Sequence, residues 1–279
     1  MGGTGMGENK KIAIVTGGAS GIGRAICNEL SSRNVFVVIA DINEREGKAF
    51  EGKLNQDVLN SRFTYLDVTD YNCVEHVIEE IYEEFGRLDY LFNNAGISMY
   101  GELYDMSLEN WKEIVDINLW GVIHGTQMGY KIMKEQGFGH IVNTASAAGL
   151  GPSPIASAYS TTKHAIVGLT TSLHFEAEEF GIKVSTLCPS FVDTPIFDAA
   201  KAINIDKSAI TKQMKKHKMM SPQKLAKIAI NGVHKNKPII CPMPLRKTMD
   251  VIFTIFPPMH NALARFVCKV VREAKGSTG

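Results

Sequence analysis

Residues 11–16 read Lys-Ile-Ala-Ile-Val-Thr, a short β-branched run that passes straight into Gly17, Gly18, Ala19, Ser20, Gly21, Ile22 and Gly23. Such a run, bounded by glycine, predicts a buried strand. Ile22, Ala25, Ile26 and Leu30 then recur at helical spacing. Strand, glycine turn and helix, in that order, constrain the fold more than any other stretch. The turn lets backbone approach a phosphate closely. The helix behind it offers N–H groups without intrahelical partners at the positive end of its dipole. The spacing Gly17-x-x-x-Gly21-x-Gly23 departs from the Gly-x-Gly-x-x-Gly dinucleotide fingerprint but keeps its mechanics. We therefore read Gly17, Ser20, Gly21, Ile22 and Gly23 as a candidate phosphate-binding turn, against the plainer reading of a structural loop.

The same alternation continues. Residues 35–40 form a second strand ending in Asp41, and residues 43–54 a helix. Residues 62–66 form a third strand leading into Asp67 and Val68, and Thr69 or Asp70 caps a helix that runs to about Phe85. A fourth strand at 88–92 runs into Asn93-Asn94-Ala95-Gly96. Ser107 caps a long helix reaching about Lys134, with Asn118 inside it, where an asparagine is either tolerated or kinks the helix and frees a carbonyl. Strands at 140–144, 183–187 and 238–241 follow, with Ser146 after the first of them and Cys188-Pro189-Ser190 after the second. Ser221 and Pro222 open the last regular helix, as N-cap and first helical residue. This order predicts an α/β fold: a doubly wound parallel sheet of about seven strands with helices on both faces and ligands at the strands' carboxyl ends. Asp41, about 20 positions past the glycine turn, suits the ribose hydroxyls of an adenosine and would repel a 2′-phosphate. Its alternative role is to cap the next helix. The balance predicts NAD rather than NADP, with Arg45 the residue that could overturn it.

Tyr159 and Lys163 stand four residues apart on a predicted helix, so they share a face. A cation beside a phenol favours the phenolate. Lowering a tyrosine from about 10 by roughly 3 units takes about 4 kcal/mol, and yields a general base near neutral pH. The pair by itself is a common accident of solvated helix faces, so its neighbours decide its meaning.

Composition bounds the rest. The 279 residues carry a formal net charge of +1, which gives no electrostatic reason to expect nucleic acid or an anionic membrane as partner. The 5 cysteines are odd in number and lack any Cys-x-x-Cys, which argues for a reducing, cytoplasmic setting and against a zinc site. His76, His124, His140, His164, His174, His217, His234 and His260 show no metal-ligand spacing, and no metal is expected. No apolar run is long enough to span a bilayer, and no signal peptide precedes the first strand.

Taken together, Thr16-Gly17, Gly21, Gly23, Asp41, Asp67, Asn93-Asn94-Ala95-Gly96, Asn118, Ser146 and Tyr159-x-x-x-Lys163 fall in an order that resembles the short-chain dehydrogenase/reductase family in its compact single-domain, Rossmann-like form. The resemblance covers about residues 10–245. It implies that Tyr159 is the acid/base, that Ser146 hydrogen-bonds the substrate oxygen, and that Lys163 lowers the Tyr159 pKa and binds the nicotinamide ribose. Asn118 would hold a water that links Lys163 to solvent. It further implies a pyrophosphate loop at Gly17–Gly23, an adenine pocket at Asp67 and Val68, ribose contacts at Asn94, Ala95 and Gly96, and carboxamide contacts at Pro189, Val192 and Thr194. Ser190 departs from the family's usual Pro-Gly, which questions the local loop conformation. By the same resemblance, pairing of helices near 110–133 and 157–180 gives a homodimer or homotetramer.

Residues 191–220 resemble a substrate lid and carry Lys201, Lys207, Lys212, Lys215, Lys216 and Lys218; they are either a solvated segment or a basic lid meeting an anionic substrate. Residues 1–9 form a tail. Residues 246–279 form an apolar extension that covers the pocket, joins subunits, lies on a membrane surface or simply docks on the core. The expected activity is NAD(H)-dependent interconversion of a fairly hydrophobic secondary alcohol and its ketone. The alternatives are an NADP(H)-dependent carbonyl or 3-oxoacyl reductase and a nucleotide-binding regulator without turnover.

Overall fold

The computed structural model describes residues 10–56, 59–208 and 219–243, together with Arg265, Cys268 and Lys269. The tail at 1–9, the lid's lysine-rich end at 209–218 and, those three residues apart, the apolar extension at 246–279 lie outside the described residues.

Strands β1 (Ile12–Thr16), β2 (Phe36–Asp41), β3 (Ser61–Tyr65), β4 (Tyr90–Asn93), β6 (Gly139–Thr144), β7 (Ile182–Leu187) and β9 (Ile239–Ile240) form one sheet in the order β3-β2-β1-β4-β6-β7-β9. Every pairing in it is parallel. The seven expected strands are all present. β1, β2 and β4 read as apolar runs because both faces are covered, whereas the edge strand β3 carries Arg62 and is only partly buried. Val15 and Ile39 pack towards α1 (Gly21–Ser31), α2 (Glu44–Leu54) and the C-terminal helix α8 (Pro222–His234), through Ile26, Leu30, Phe50, Leu225 and Ile230. Ile14 and Val38 pack the opposite way, against Val77 and Ile81 of α3 (Tyr71–Phe85) and Met128 and Ile132 of α5 (Gly121–Gln136).

Local chemistry starts the helices. Asp70 is the N-cap of α3, accepting from the N–H groups of Asn72 and Cys73. Ser107 and Asn110 form a reciprocal capping box at α4 (Leu108–Val115), and Ser221 caps α8 with Pro222 at its start. The long expected helix is interrupted. Between α4 and α5, residues Asp116–Trp120 make one π-turn, with the Gly121 N–H reaching the Asp116 carbonyl. Asn118 sits in that turn and is 0% exposed.

Two short strands that the sequence pattern does not announce, β5 (Met99–Tyr100) and β8 (Lys201–Ala202), pair in parallel above the main sheet. They tie the segment after β4 to the segment after α7 (Ile196–Ala199). The Lys201 N–H bonds to the Ser98 carbonyl at 3.2 Å and the Ile203 N–H to the Tyr100 carbonyl at 2.8 Å. Lys201 also pairs with Glu113 of α4 at 2.5 Å. Among the described lid residues, this lysine's charge is spent on the protein itself. Helix α6 (Ser157–Glu176) runs beneath this cover and carries Tyr159 and Lys163.

Candidate active site

The carboxyl ends of β1, β4, β6 and β7 open on one cavity of about 650 Å³. Gly17, Ser20, Gly21 and Ile22 line it on one side, Asn94, Ala95 and Gly96 in the middle, and Ser146, Tyr159 and Lys163 beyond them. Pro189, Val192 and Thr194 close another wall. Five sequence-expected positions lie outside this lining. Gly23 supports the turn from behind. Asp41, Asp67 and Val68 occupy the ends of β2 and β3, and Asn118 lies under the floor.

The glycine turn is built by close approach. Gly17 has φ +64°, and a Cβ there would lie 2.9 Å from the Ala95 Cα. A Cβ on Gly23 would lie 2.1 Å from the Gly17 carbonyl oxygen, so helix and turn can meet only through glycine. Thr16 closes the other side, its Oγ1 accepting the N–H groups of Asn94 at 2.9 Å and Ala95 at 3.0 Å. Ser20 occupies the N-cap position of α1, yet its side chain makes no capping hydrogen bond. The first N–H groups of α1 therefore face the cavity without a side-chain cap, which is the geometry an anion requires.

Asp41 is held rather than loose. Its Oδ2 accepts from the Ala19 N–H and its Oδ1 from the Asn43 N–H, both at 3.0 Å. The side chain that caps α2 is instead Asn43, accepting from the Glu46 N–H. Asp41 thus fixes a carboxylate beside the glycine turn. The two nearby cations are engaged elsewhere: Arg24 stacks on Phe50 at 4.5 Å, and Arg45 pairs with Glu46 at 3.3 Å with 88% of its side chain exposed. Asp67 accepts from the N–H and hydroxyl of Thr69, and the Val68 carbonyl meets His124 Nδ1 at 3.0 Å.

Around Tyr159 burial works against the expected lowering of the pKa. Burial raises the phenol to about 12, and the opposing influence is its hydrogen bond with Ser146. The Lys163 ammonium lies over the Tyr159 ring, 5.6 Å from its centroid, and donates to the Thr144 carbonyl at 3.0 Å. Burial also pulls Lys163 down to about 8. Desolvation outweighs charge here because each charged form is expensive to hold away from water. Ser146 accepts the Ala148 N–H at 3.2 Å, which leaves its own proton for the Tyr159 oxygen. Asn118 accepts the Ile97 N–H at 2.8 Å and donates to the Ile97 carbonyl at 2.9 Å, pinning the backbone behind Gly96. A Cβ on Gly96 would lie 3.1 Å from Asn118 Oδ1 and 3.5 Å from Lys163 Nζ. Ser190, queried from the sequence, is not among the residues with positive φ, so serine sits there without backbone strain.

Further lining comes from residues within 98–103, 150–156 and 191–199, segments whose mix of apolar and small residues in the sequence suggests a hydrophobic pocket. Ser98 and Tyr100 share a hydrogen bond beside Tyr159, and the burial of Tyr100 raises its phenol. Ile155 and Phe197 line the cavity together with Pro152, Pro154 and Phe191. The β5–β8 pairing holds the 98–103 segment in place, and no local periodicity marks two-residue strands. Among the described residues no helix is long and apolar enough to cross a membrane. No group of three or more His, Cys, Asp or Glu side chains among them forms a metal-holding cluster, and no two of the five cysteines form a disulfide.

Comparison with known proteins agrees with this architecture. A family model described as short chain dehydrogenase matches residues 11–204. A 3-alpha-(or 20-beta)-hydroxysteroid dehydrogenase from Mycobacterium tuberculosis is 37% identical over 188 residues, 67% of this chain and 71% of that protein. A short chain dehydrogenase/reductase from Burkholderia phymatum, solved in complex with NAD, superposes with a TM-score of 0.82 at 28% identity, covering 91% of this chain and 96% of its own. ElxO, solved with NADP bound, gives a TM-score of 0.72 at 27% identity, covering 84% and 97%.

Proposed function

The chain belongs to the short-chain dehydrogenase/reductase family of oxidoreductases, and from that premise we propose that it is an NAD(H)-dependent dehydrogenase interconverting a hydrophobic secondary alcohol and its ketone. The observation that carries the reading is the single cavity that joins the glycine turn to Ser146, Tyr159 and Lys163. Asp41 supports NAD. Its carboxylate is fixed by two N–H groups, and a 2′-phosphate beside it would meet like charge with Arg24 and Arg45 both engaged elsewhere.

In this reading the chain holds the dinucleotide along three groups of residues. Gly17, Ser20, Gly21, Ile22 and the α1 N-terminus take the pyrophosphate, and Asp41, Asp67 and Val68 take the adenosine. Asn94, Ala95, Gly96, Lys163, Pro189, Val192 and Thr194 take the nicotinamide end. Held there, the nicotinamide would supply or accept the hydride. Tyr159 supplies the proton. At neutral pH it is a phenol, ready to protonate a ketone oxygen; in the other direction it must ionise before it takes the alcohol proton. Ser146 donates a hydrogen bond to the same substrate oxygen and steadies charge there. Lys163 offers a nearby positive charge that favours the phenolate. Asn118 is a positioning residue that keeps the Ile97 backbone, and so Gly96, against Lys163. We extend the proposal to a homo-oligomer in a reducing compartment, paired through α4–α5 and α6, where Trp120 and Phe175 are exposed.

Titrating the purified protein with NADH and NADPH tests the reading. Tighter NADH binding is expected, and Asp41→Asn, which keeps an acceptor for the Ala19 N–H, narrows the preference by about tenfold through loss of like-charge repulsion. Preference for NADPH in the wild type would replace this reading with a ketone reductase, and binding of neither would remove it.

A further inference from the structure

Residues Ser153, Pro154, Ile155 and Ala156 make one turn, closed by the Ala156 N–H on the Ser153 carbonyl at 3.2 Å. Proline second and positive φ third are the marks of a type II turn, whose third position favours glycine or asparagine. Here that position holds Ile155, with φ +66°. The other non-glycine residues with positive φ among the described residues are Asn34, Asn204 and Asn236, of the type that tolerates it. A β-branched side chain there is a genuine outlier. The surroundings hold it in place. The Ile155 carbonyl accepts the Gly101 N–H at 2.8 Å, and Gly101 also bridges to Ala156. A Cβ on Gly101 would lie 3.0 Å from Ile203, so turn, β5 segment and lid stack directly on one another. The turn opens α6 just ahead of Tyr159, and Ile155 lines the cavity. Strained backbone of this kind clusters at ligand sites, where surrounding structure over-determines it.

We propose that Ile155 is a specificity-determining residue: held at the cavity wall by the strained turn, its branched side chain limits the width of the secondary alcohol that reaches Tyr159 and selects narrow neutral substrates over wide ones. The proposal rests on the dehydrogenase reading above. Shape rather than charge must discriminate at this wall. Pro152, Pro154, Phe191, Ile196 and Phe197 give the same cavity apolar lining, Ser153 beside Ile155 is uncharged, and Lys163, the one cation among the described lining residues, is bonded to the Thr144 carbonyl.

The test compares cyclohexanol with the wider decahydro-2-naphthol, each with NAD, on the full chain and on Ile155→Gly and Ile155→Val. Ile155→Gly removes both wall and strain; Ile155→Val keeps the branch. The ratio of kcat/KM for the wide over the narrow alcohol is expected to rise about tenfold in Ile155→Gly and to stay within about twofold in Ile155→Val. NADH affinity should be the same in all three. Ile155→Asn, which also suits positive φ, substitutes if the glycine variant does not fold. An unchanged ratio in every variant overturns the proposal. So does a wild type that binds NADH but neither alcohol nor its ketone, and in that case the NAD-binding part of the functional reading survives. A wild type that does not bind NADH removes both.

Discussion

Tyr159 is kept protonated by burial, its pKa pushed up to about 12 with a hydrogen bond to Ser146 working the other way. Two expectations follow at the scale of single residues. Tyr159→Phe removes the only proton the phenol can move, so turnover should fall by about 10²–10⁴-fold while NADH binding changes little, as read by steady-state kinetics beside fluorescence titration. Surviving activity in that variant would remove Tyr159 as the acid/base. Ser146→Ala takes away the bond that eases ionisation. The acid-side limb of kcat/KM for alcohol oxidation should therefore move to higher pH, beyond any fall in its maximum. A limb that stays put would mean that another group sets it. Both residues are legible in the sequence. Their protonation is not, because it depends on everything that excludes water from the cavity.

Among elements, the π-turn between α4 and α5 does the most local work. An asparagine inside a helix is readable as an oddity, but the sequence leaves open whether it is merely tolerated. The structure decides for a break in the ladder, and the buried Asn118 amide then serves the two backbone groups of Ile97. Asn118→Ala should leave both groups unpartnered, at about 1–3 kcal/mol each. Chemical denaturation should show that loss, and hydrogen exchange should show it concentrated at residues 94–98. Equal protection in variant and wild type would mean that Ile97 is held by something else. The β5–β8 pair is the opposite case. Strands of two residues have no period to read, and only the docking of the lid segment on Ser98 and Tyr100 creates them.

Over the whole molecule, acid stability should turn on a residue far from the cavity. His140 on β6 is 4% exposed, its Nε2 lies 2.8 Å from the Ser185 hydroxyl on β7, and that hydroxyl donates to the Lys237 carbonyl ahead of β9. The ring thus links the last three strands as a neutral donor. Burial, with Lys183 and two other histidines nearby, lowers its pKa from 6.5 to about 3. Between those values the unfolded chain takes up a proton that the folded chain does not. Stability therefore falls as pH drops through that window, by up to about 1.4 kcal/mol per pH unit for this one group. His140→Gln keeps a donor for Ser185 without the titration. Its melting temperature should decline less steeply from pH 6.5 to pH 4, and a slope equal to that of the wild type would assign the acid sensitivity to other groups.

The amino-acid sequence by itself determined the succession of seven strands, the helix starts at Ser107 and Ser221, and the order of Gly17, Asp41, Asn94, Ser146, Tyr159 and Lys163 along the chain, while the choice of Asp70 over Thr69 as a cap fell to the structure. These are local properties. A strand covered on both faces must be apolar, a cap needs one side chain within three residues, and a close backbone approach needs glycine. The tertiary structure alone decided that Gly23 supports the turn from behind the cavity, that Asp41 is fixed by Ala19 and Asn43, that Ile155 occupies a position made for glycine, and that Tyr159 rests as a phenol. Each of these depends on groups distant in sequence brought within a few ångströms, and on the water they exclude, and neither is encoded in any single stretch.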